Sequence, residues 1–283
     1  MKHRPINYKN LAAQPDIISR IIQIDADSRG CFREMDNLLR SDQSAAALIL
    51  RVANSPIYNR GHQIETLPLA ISLLGINVIR SLATLALTRP IFTQSKNKLI
   101  QKHIWHHSLL TAIASQTICL ELGSTQEGEE AFVAGLIHDI GKVLLLSHYA
   151  EKYVNALSYT LKYHCSSAEA EQKFLGVDHY QIGQQAVQEW KLPQHFNYYT
   201  GIDLNLLSRI QIKNIVQLSL VVANSLIKGA GIGASPWDCN TRKNKLMALG
   251  LSSEFSDYLL EDVFMQGLKK HELYLHCTQY GNH

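Results

Sequence analysis

At 283 residues and 46% hydrophobic content, the chain is long enough for one large domain or two smaller ones with a sizeable core. Charged residues make up 18% and the net charge is +3, against about 25% charged residues in an average soluble domain. That argues against the dense basic stripe of a nucleic-acid surface, and it suggests that much of the exterior is neutral or engaged with a partner.

The chain reads as helix from end to end, with no alternating β pattern of useful length and no internal repeat. Residues 10–24 place Leu11, Ile17, Ile18, Ile21 and Ile22 at helical spacing. Ser41-Asp42 offers an N-cap for a helix over 45–54, which Pro56 stops. Pro68 suits the first turn of the next helix, Gly75 breaks it, residues 76–88 resume it, and Arg89-Pro90 marks a boundary. Residues 98–122 predict one long helix ended by Gly123, and Gly128-Glu129-Glu130 leads into another over 131–138. Helices over 149–163 and 167–174 follow, then one over 179–190 capped by Asp178, and one over 210–228. Residues 229–236, rich in glycine, predict a flexible loop, and 241–275 a short helical tail. The expectation is an all-α protein of two packed helical lobes.

Five cysteines (Cys31, Cys119, Cys165, Cys239 and Cys277) are odd in number and lack C-x-x-C spacing, so they read as free thiols of a reducing compartment. The basic start, Met1-Lys2-His3-Arg4-Pro5, has no apolar run behind it that would make a signal peptide. The longest apolar stretch, taken as 215–227, is interrupted by Gln217, Ser219 and Asn224 and is shorter than the ~20 residues of a membrane span. The expectation is a cytoplasmic protein with no membrane partner.

Two histidine clusters carry the most chemistry: Trp105-His106-His107-Ser108, and Ile137-His138-Asp139-Ile140-Gly141-Lys142 inside an apolar helix. Imidazole and carboxylate suit Zn, Mn, Fe, Co or Ni, and such a site can activate water. Neighbours on a helix point about 100° apart, so His138 and Asp139 would approach an ion from different sides. Lys142, one turn beyond His138, could pair with a phosphate. His106 is expected at the surface or as a neighbour of the ligands, and His103 facing solvent. Arg51, Asn54 and Ser55 share a face at a helix end, which reads as a cap network tied to the Pro56 turn or as a ligand or partner contact between lobes; Arg80 has the same two readings. Tyr149, Tyr153, Tyr159 and Tyr163 read as core and rim. A helix–turn–helix over 67–87 would present only Arg80, Asn77 and Thr84 to bases, which is too little polar reach.

The histidine segments resemble the HD superfamily of helical phosphohydrolases, and the rest of the chain narrows this to the HDOD domain, an output domain of bacterial signalling proteins. Leu50-Arg51-Val52-Ala53-Asn54-Ser55-Pro56-Ile57-Tyr58 is similar to that family's LANSxxY signature. Ile64 to Gly75, followed by Arg80, is similar to its I-x-S-L-x-x-A-I-x-x-L-G. Phe174 to His179 with Trp190-Lys191-Leu192-Pro193 is similar to LGxDH…WxLP. The resemblance implies an N-terminal lobe over 1–94, an HD-like core over 95–229 and a tail over 230–283. It implies a divalent metal (Fe, Mn, Zn, Ni or Mg) on His107, His138 and Asp139, and a position for His179 as a second-metal ligand or a holder of a nearby carboxylate. Asp139 and Lys142 would be the catalytic pair of an active enzyme.

The chain departs from the pattern in two places. Asn224 stands where the superfamily has its fourth ligand, an Asp, and residues 196–200 lack the His pair of multi-metal members. A neutral amide in place of a carboxylate weakens the hold on a hard ion. Two functions are therefore implied. One is a regulatory module that binds a signalling protein or a nucleotide-like ligand. The other is a metal-dependent phosphohydrolase acting on a nucleotide or another phosphate ester. In a third reading, His107, His138 and Asp139 form a buried hydrogen-bonded cluster that only fixes helix packing.

Overall fold

A computed structural model describes residues 6, 8, 14–56, 58, 61, 63–93, 95–233 and 242–279. Leu11, Ile57, Cys239 and the 234–236 end of the expected glycine loop lie outside them. Among the described residues the fold is all-α: α1 (Pro15–Gln23), α2 (Cys31–Arg40), α3 (Gln43–Ala53), α4 (Leu67–Thr93), α5 (Lys98–Ile100), α6 (His107–Glu121), α7 (Gly128–Ile137), α8 (Ile140–His148), α9 (Ala150–Tyr163), α10 (Ser167–Leu175), α11 (His179–Glu189), α12 (Asn197–Thr200), α13 (Ile215–Gly229), α14 (Lys243–Ala248), α15 (Ser253–Leu260), α16 (Asp262–Lys270) and α17 (Glu272–Gln279).

The first three helices pack on α4. The α2 residues Cys31, Met35, Leu38 and Leu39 form one buried stripe. The Asp42 side chain caps α3 by accepting from the Ala45 N–H at 2.8 Å. Helix α4 bends at Gly75, whose φ of 80° and ψ of 161° are not helical, as the glycine predicts. Pro90, expected as a boundary, instead lies inside α4. An interior proline costs about 3 kcal/mol. Beyond it Ile91 and Phe92 are both buried, at roughly 1.5–3 kcal/mol each, so packing carries the helix through.

The second half is built on α6, which packs against α7 and α13. Residues His107 to Ser115 of α6 are all buried, the pattern of a helix enclosed on every side. Gly135 permits this contact: a Cβ there would sit 2.5 Å from Ala112 Cα. The expected helix over 98–122 is continuous, but Gln101–His106 forms a widened π turn immediately before His107. Such turns recur at functional sites. The helix expected over 210–228 begins only at Ile215, where the Asn214 side chain caps it by accepting from the Gln217 N–H at 2.8 Å. Helices α14 to α17 form the tail, and α16 packs back on α6.

Two apolar runs are longer than the one picked out from sequence: Leu67–Phe92 and Gly128–His148 are long and apolar enough, by length and composition alone, to cross a membrane. The first bends at Gly75 and the second breaks at Asp139, whose φ/ψ is not helical. The most apolar windows are 56% and 89% buried against the rest of the protein, as in core helices.

Candidate metal centre

His138 and Asp139 do not lie inside one helix, as the sequence suggested. α7 ends at Ile137, Asp139 adopts φ −100° and ψ 21°, and α8 starts at Ile140. The physical gain is aim. A straight helix would splay the two side chains about 100° apart, whereas the break turns both toward one point. There His107 Nε2 and His138 Nε2 are 3.1 Å apart, and Asp139 Oδ2 lies 3.5 Å from the first and 3.4 Å from the second. The three residues are the group of metal-type side chains whose ligand atoms converge among the described residues.

The hydrogen bonds behind the rings fix their tautomers. His107 Nδ1 faces the Ile232 carbonyl oxygen at 3.1 Å, and His138 Nδ1 the Gly135 carbonyl oxygen at 2.8 Å. A carbonyl only accepts, so each Nδ1 carries the proton and each neutral ring turns its Nε2 lone pair inward. Two lone pairs at 3.1 Å repel unless a cation lies between them. A proton is a poor candidate. Burial first, and then the His138 charge, hold His107 well below the ordinary histidine range, and burial likewise lowers His138. A metal ion suits the spacing. Bonds of ~2.1 Å place neighbouring donors about 3.0 Å apart in an octahedral shell and about 3.4 Å in a tetrahedral one.

Burial alone would raise the Asp139 carboxyl, but the positive charge beside it, the Lys142 ammonium in direct contact, outweighs burial and holds the group well below the usual carboxylate range. Lys142 Nζ donates to Asp139 Oδ2 at 2.8 Å, so this lysine, buried as deeply as the cluster, is already committed to the carboxylate. His179 Nε2 faces the other oxygen, Oδ1, at 3.7 Å. His179 is in turn held by Glu171, a buried carboxylate that sequence reading missed. Glu171 accepts from His179 Nδ1 at 2.6 Å, from the His179 backbone N–H at 2.8 Å, and from the Tyr153 hydroxyl at 3.3 Å. Holding a nearby carboxylate is thus the geometry in which His179 is found. Nothing in the sequence around Glu171 distinguishes it from a solvated helix residue, since Glu is seldom fully buried unless paired.

Asn224 is 2% exposed. Its amide nitrogen reaches Asn205 Oδ1 at 3.4 Å, and its own Oδ1 has no hydrogen-bond partner among the described residues. Such a buried, unsatisfied oxygen costs about 1–3 kcal/mol, and it is the atom with which Asn224 would ligate a cation or accept a hydrogen bond from a water. Beside the cluster lies a cavity of about 170 Å³ whose lining includes Lys142, Lys228, His179, Ser166 and Asn205 together with one carboxylate, Asp203, room for roughly six waters. Lys228, also buried, is the second residue missed. It lies one turn beyond Asn224 on α13, a spacing from which it could have been found. A larger groove of about 410 Å³ runs between Ile91, Ile100, Leu146 and Val154, but it holds no comparable cluster of titratable groups.

His103, expected to face solvent, is buried, and its Nδ1 accepts from the Gly233 N–H at 3.2 Å. His106 is half-buried beside the Tyr274 hydroxyl, 2.9 Å away. Asn54 donates to the Ile64 carbonyl at 2.7 Å and accepts from its N–H at 2.8 Å, tying the end of α3 to the next segment. Arg80 donates to the carbonyls of Ile21 and Ile24 and to Asn77, which pins α4 to the end of α1. Both are arranged as structural ties, while Arg51 is exposed.

The buried histidines set an acid sensitivity. Free histidine titrates near ~6.5, and in the folded protein burial lowers His103 to about 4 and lowers His107 and His138 too. Below that unfolded value the unfolded chain binds more protons, so their stabilisation is complete above about pH 6.5 and declines as pH falls. The slope is up to ~1.4 kcal/mol per pH unit for each fully buried histidine that stays neutral. Asp139 adds a further loss only below ~4, the unfolded carboxyl value. Urea melts of chelator-treated protein at pH 7.5 and pH 5.0 should show a clearly lower midpoint at pH 5.0. Equal midpoints would mean that the histidines are not held neutral.

The family model for the HDOD domain matches residues 11–200. Among solved structures, the chain is similar to an HDOD domain protein of unknown function from Geobacter sulfurreducens: 19% identity, 95% of this chain, 93% of that one, TM-score 0.72. It is similar to a candidate signal-transduction protein from Marinobacter aquaeolei VT8 at 19% identity over 94% of this chain and 58% of that one, TM-score 0.69. It is also similar to a candidate phosphohydrolase from Shewanella amazonensis SB2B at 19% identity, 95% and 93% coverage, TM-score 0.62. At these identities the likeness is one of fold. Among curated proteins none matches this chain.

Proposed function

The chain belongs to the HDOD domain family, and from that premise we propose that it is a signal-transduction module. In this reading it holds a divalent metal at His107, His138 and Asp139 and binds a small phosphate-bearing ligand in the adjoining lysine-lined cavity. One observation carries the binding reading: the cluster is sealed and Asp139 is already neutralised from within. His107 is 0% exposed and His138 and Asp139 are each 4% exposed, with Lys142 and His179 on the two carboxylate oxygens. A hydrolytic metal site keeps a coordination position open to water and substrate. Here Asn224, a neutral amide, stands at the position resembling the fourth ligand. The fold likeness to a candidate signal-transduction protein supports the same reading.

A second reading, metal-dependent phosphohydrolase, is favoured by the donor spacing, which suits an ion at the cluster. A metal there would supply Lewis acidity toward a phosphate oxygen and lower the pKa of a bound water. Lys228 would then hold the phosphate, Lys142 would stay on Asp139 Oδ2, and Glu171 would keep His179 in one orientation.

Elemental analysis of protein purified without chelator, for wild type, His138→Ala and Asn224→Asp, tests both. The expected result is Mn, Fe, Zn or Ni in wild type, its loss in His138→Ala, and metal affinity about tenfold higher in Asn224→Asp from the added charge. Absence of metal in wild type, with none taken up from Mn or Zn, would sink the metal reading. Phosphate-ester turnover abolished by Asp139→Asn would favour the enzyme.

A further inference from the structure

Three histidines at the entry to α6 are held from a part of the chain more than a hundred residues away. His103 Nδ1 accepts from the Gly233 N–H at 3.2 Å, and His107 Nδ1 donates to the Ile232 carbonyl at 3.1 Å. His106 Nδ1 lies 2.9 Å from the Tyr274 hydroxyl, and the Tyr274 ring stands edge-on to it at 5.6 Å. All three partners lie beyond residue 200, where the family match ends. The π turn over Gln101–His106 brings His103 and His107 under the same short segment after α13.

That segment is shaped for the approach. Gly231 and Gly233 have φ of 75° and 110°, a left-handed region that favours glycine. A Cβ on Gly233 would lie 2.2 Å from His107 Nδ1 and 2.6 Å from Cγ and Cε1 of the ring. Backbone therefore lies against the imidazole where any other residue would push it aside. A histidine that binds metal through one nitrogen needs the other fixed by an acceptor, and losing such a partner weakens metal binding about 10–100-fold.

We infer that the segment Ala230–Gly233 is a strap that positions His107, with Ile232 and Gly233 as positioning residues and Tyr274 as the anchor of the following tail beside them. The tail is then part of the site, and anything that shifts the tail changes metal affinity. This inference rests on the reading of the cluster as a metal site.

The test uses the full chain as wild type, Gly233→Ala and Tyr274→Phe. Two properties are measured: zinc affinity by titration calorimetry, and the His107 tautomer by nitrogen-15 NMR of the chelator-treated protein. Gly233→Ala is expected to weaken zinc binding about 10–100-fold and to release His107 from the single Nδ1–H tautomer, with the helical circular dichroism unchanged. Tyr274→Phe is expected to give a smaller loss of zinc affinity, since its hydroxyl reaches His106 rather than a ligand, and it decides the matter if Gly233→Ala does not fold. Unchanged zinc affinity and tautomer in the folded variants overturn the strap. A wild type that takes up no zinc sinks the metal reading instead. The strap then stands or falls on the tautomer, which needs no metal.

Discussion

Gly141→Ala is expected to destabilise the protein by about 3 kcal/mol or to prevent folding, because among the described glycines it would bring its new methyl group nearest to another atom. A Cβ at Gly141 would lie 1.9 Å from the His179 carbonyl oxygen, 2.8 Å from its carbon and 2.9 Å from the Gly183 nitrogen. These are backbone atoms of α11, so no side chain can rotate away. Overpacking a core costs typically ~1–3 kcal/mol, and a collision with backbone belongs at the upper end. Alanine would gain about 1 kcal/mol of helix propensity over glycine in α8, which is too little to reverse the sign. Because His179 is on the far side of this contact, the same variant should also move its ring away from Asp139. Thermal melting is the check; a midpoint within two degrees of wild type would mean that α8 and α11 do not meet this closely.

Lys142→Met is expected to cost the metal-free protein about 3 kcal/mol, and a divalent cation should restore much of it. Lys142 and Asp139 form an ion pair at 2.8 Å with both side chains buried. Removing one member of such a pair leaves the other buried without compensation, at ~3–5 kcal/mol. Methionine refills the space with a flexible apolar chain. A cation at the cluster would neutralise the same carboxylate, and a ligand present at a hundred times its Kd stabilises by ~2.7 kcal/mol. Melting curves in chelator and in Mn or Zn should therefore show a larger metal-induced shift in the variant than in wild type. If the variant is as stable as wild type in chelator, the lysine is not what neutralises Asp139. If metal shifts both equally, ion and lysine do not compete for Oδ2.

The helical class, the kink at Gly75 and the caps at Asp42 and Asp178 were legible because they depend on local chemistry: an apolar period, a residue free of Cβ, a short carboxylate before a helix. The grouping of His107 with His138 and Asp139 was legible through motif resemblance. What escaped was set by burial from distant parts of the chain. His103 looks like a surface residue until Gly233 covers it. Glu171 reads as one more exposed carboxylate in a charged helix, and its role appears only when α11 brings the His179 ring and backbone N–H against it. Pro90 reads as a boundary by its own preference, and only the burial of Ile91 and Phe92 beyond it overrules that. The break between His138 and Asp139 has no proline or glycine at the junction to announce it.

The long span between the histidines and their strap also sets an order of assembly. The bonds from His107 to Ile232 and from His103 to Gly233 close over 125 and 130 residues. Long closures form late, because their entropy must be lost before any contact compensates. His107, His138 and Asp139 all emerge from the ribosome before Gly233. At roughly 5–20 residues per second, the chain between Asp139 and Gly233 takes about 5–20 s to follow. For that interval His107 and His103 lack the backbone partners that orient them, so the geometry of both rings is fixed only after residues 232 and 233 have folded back.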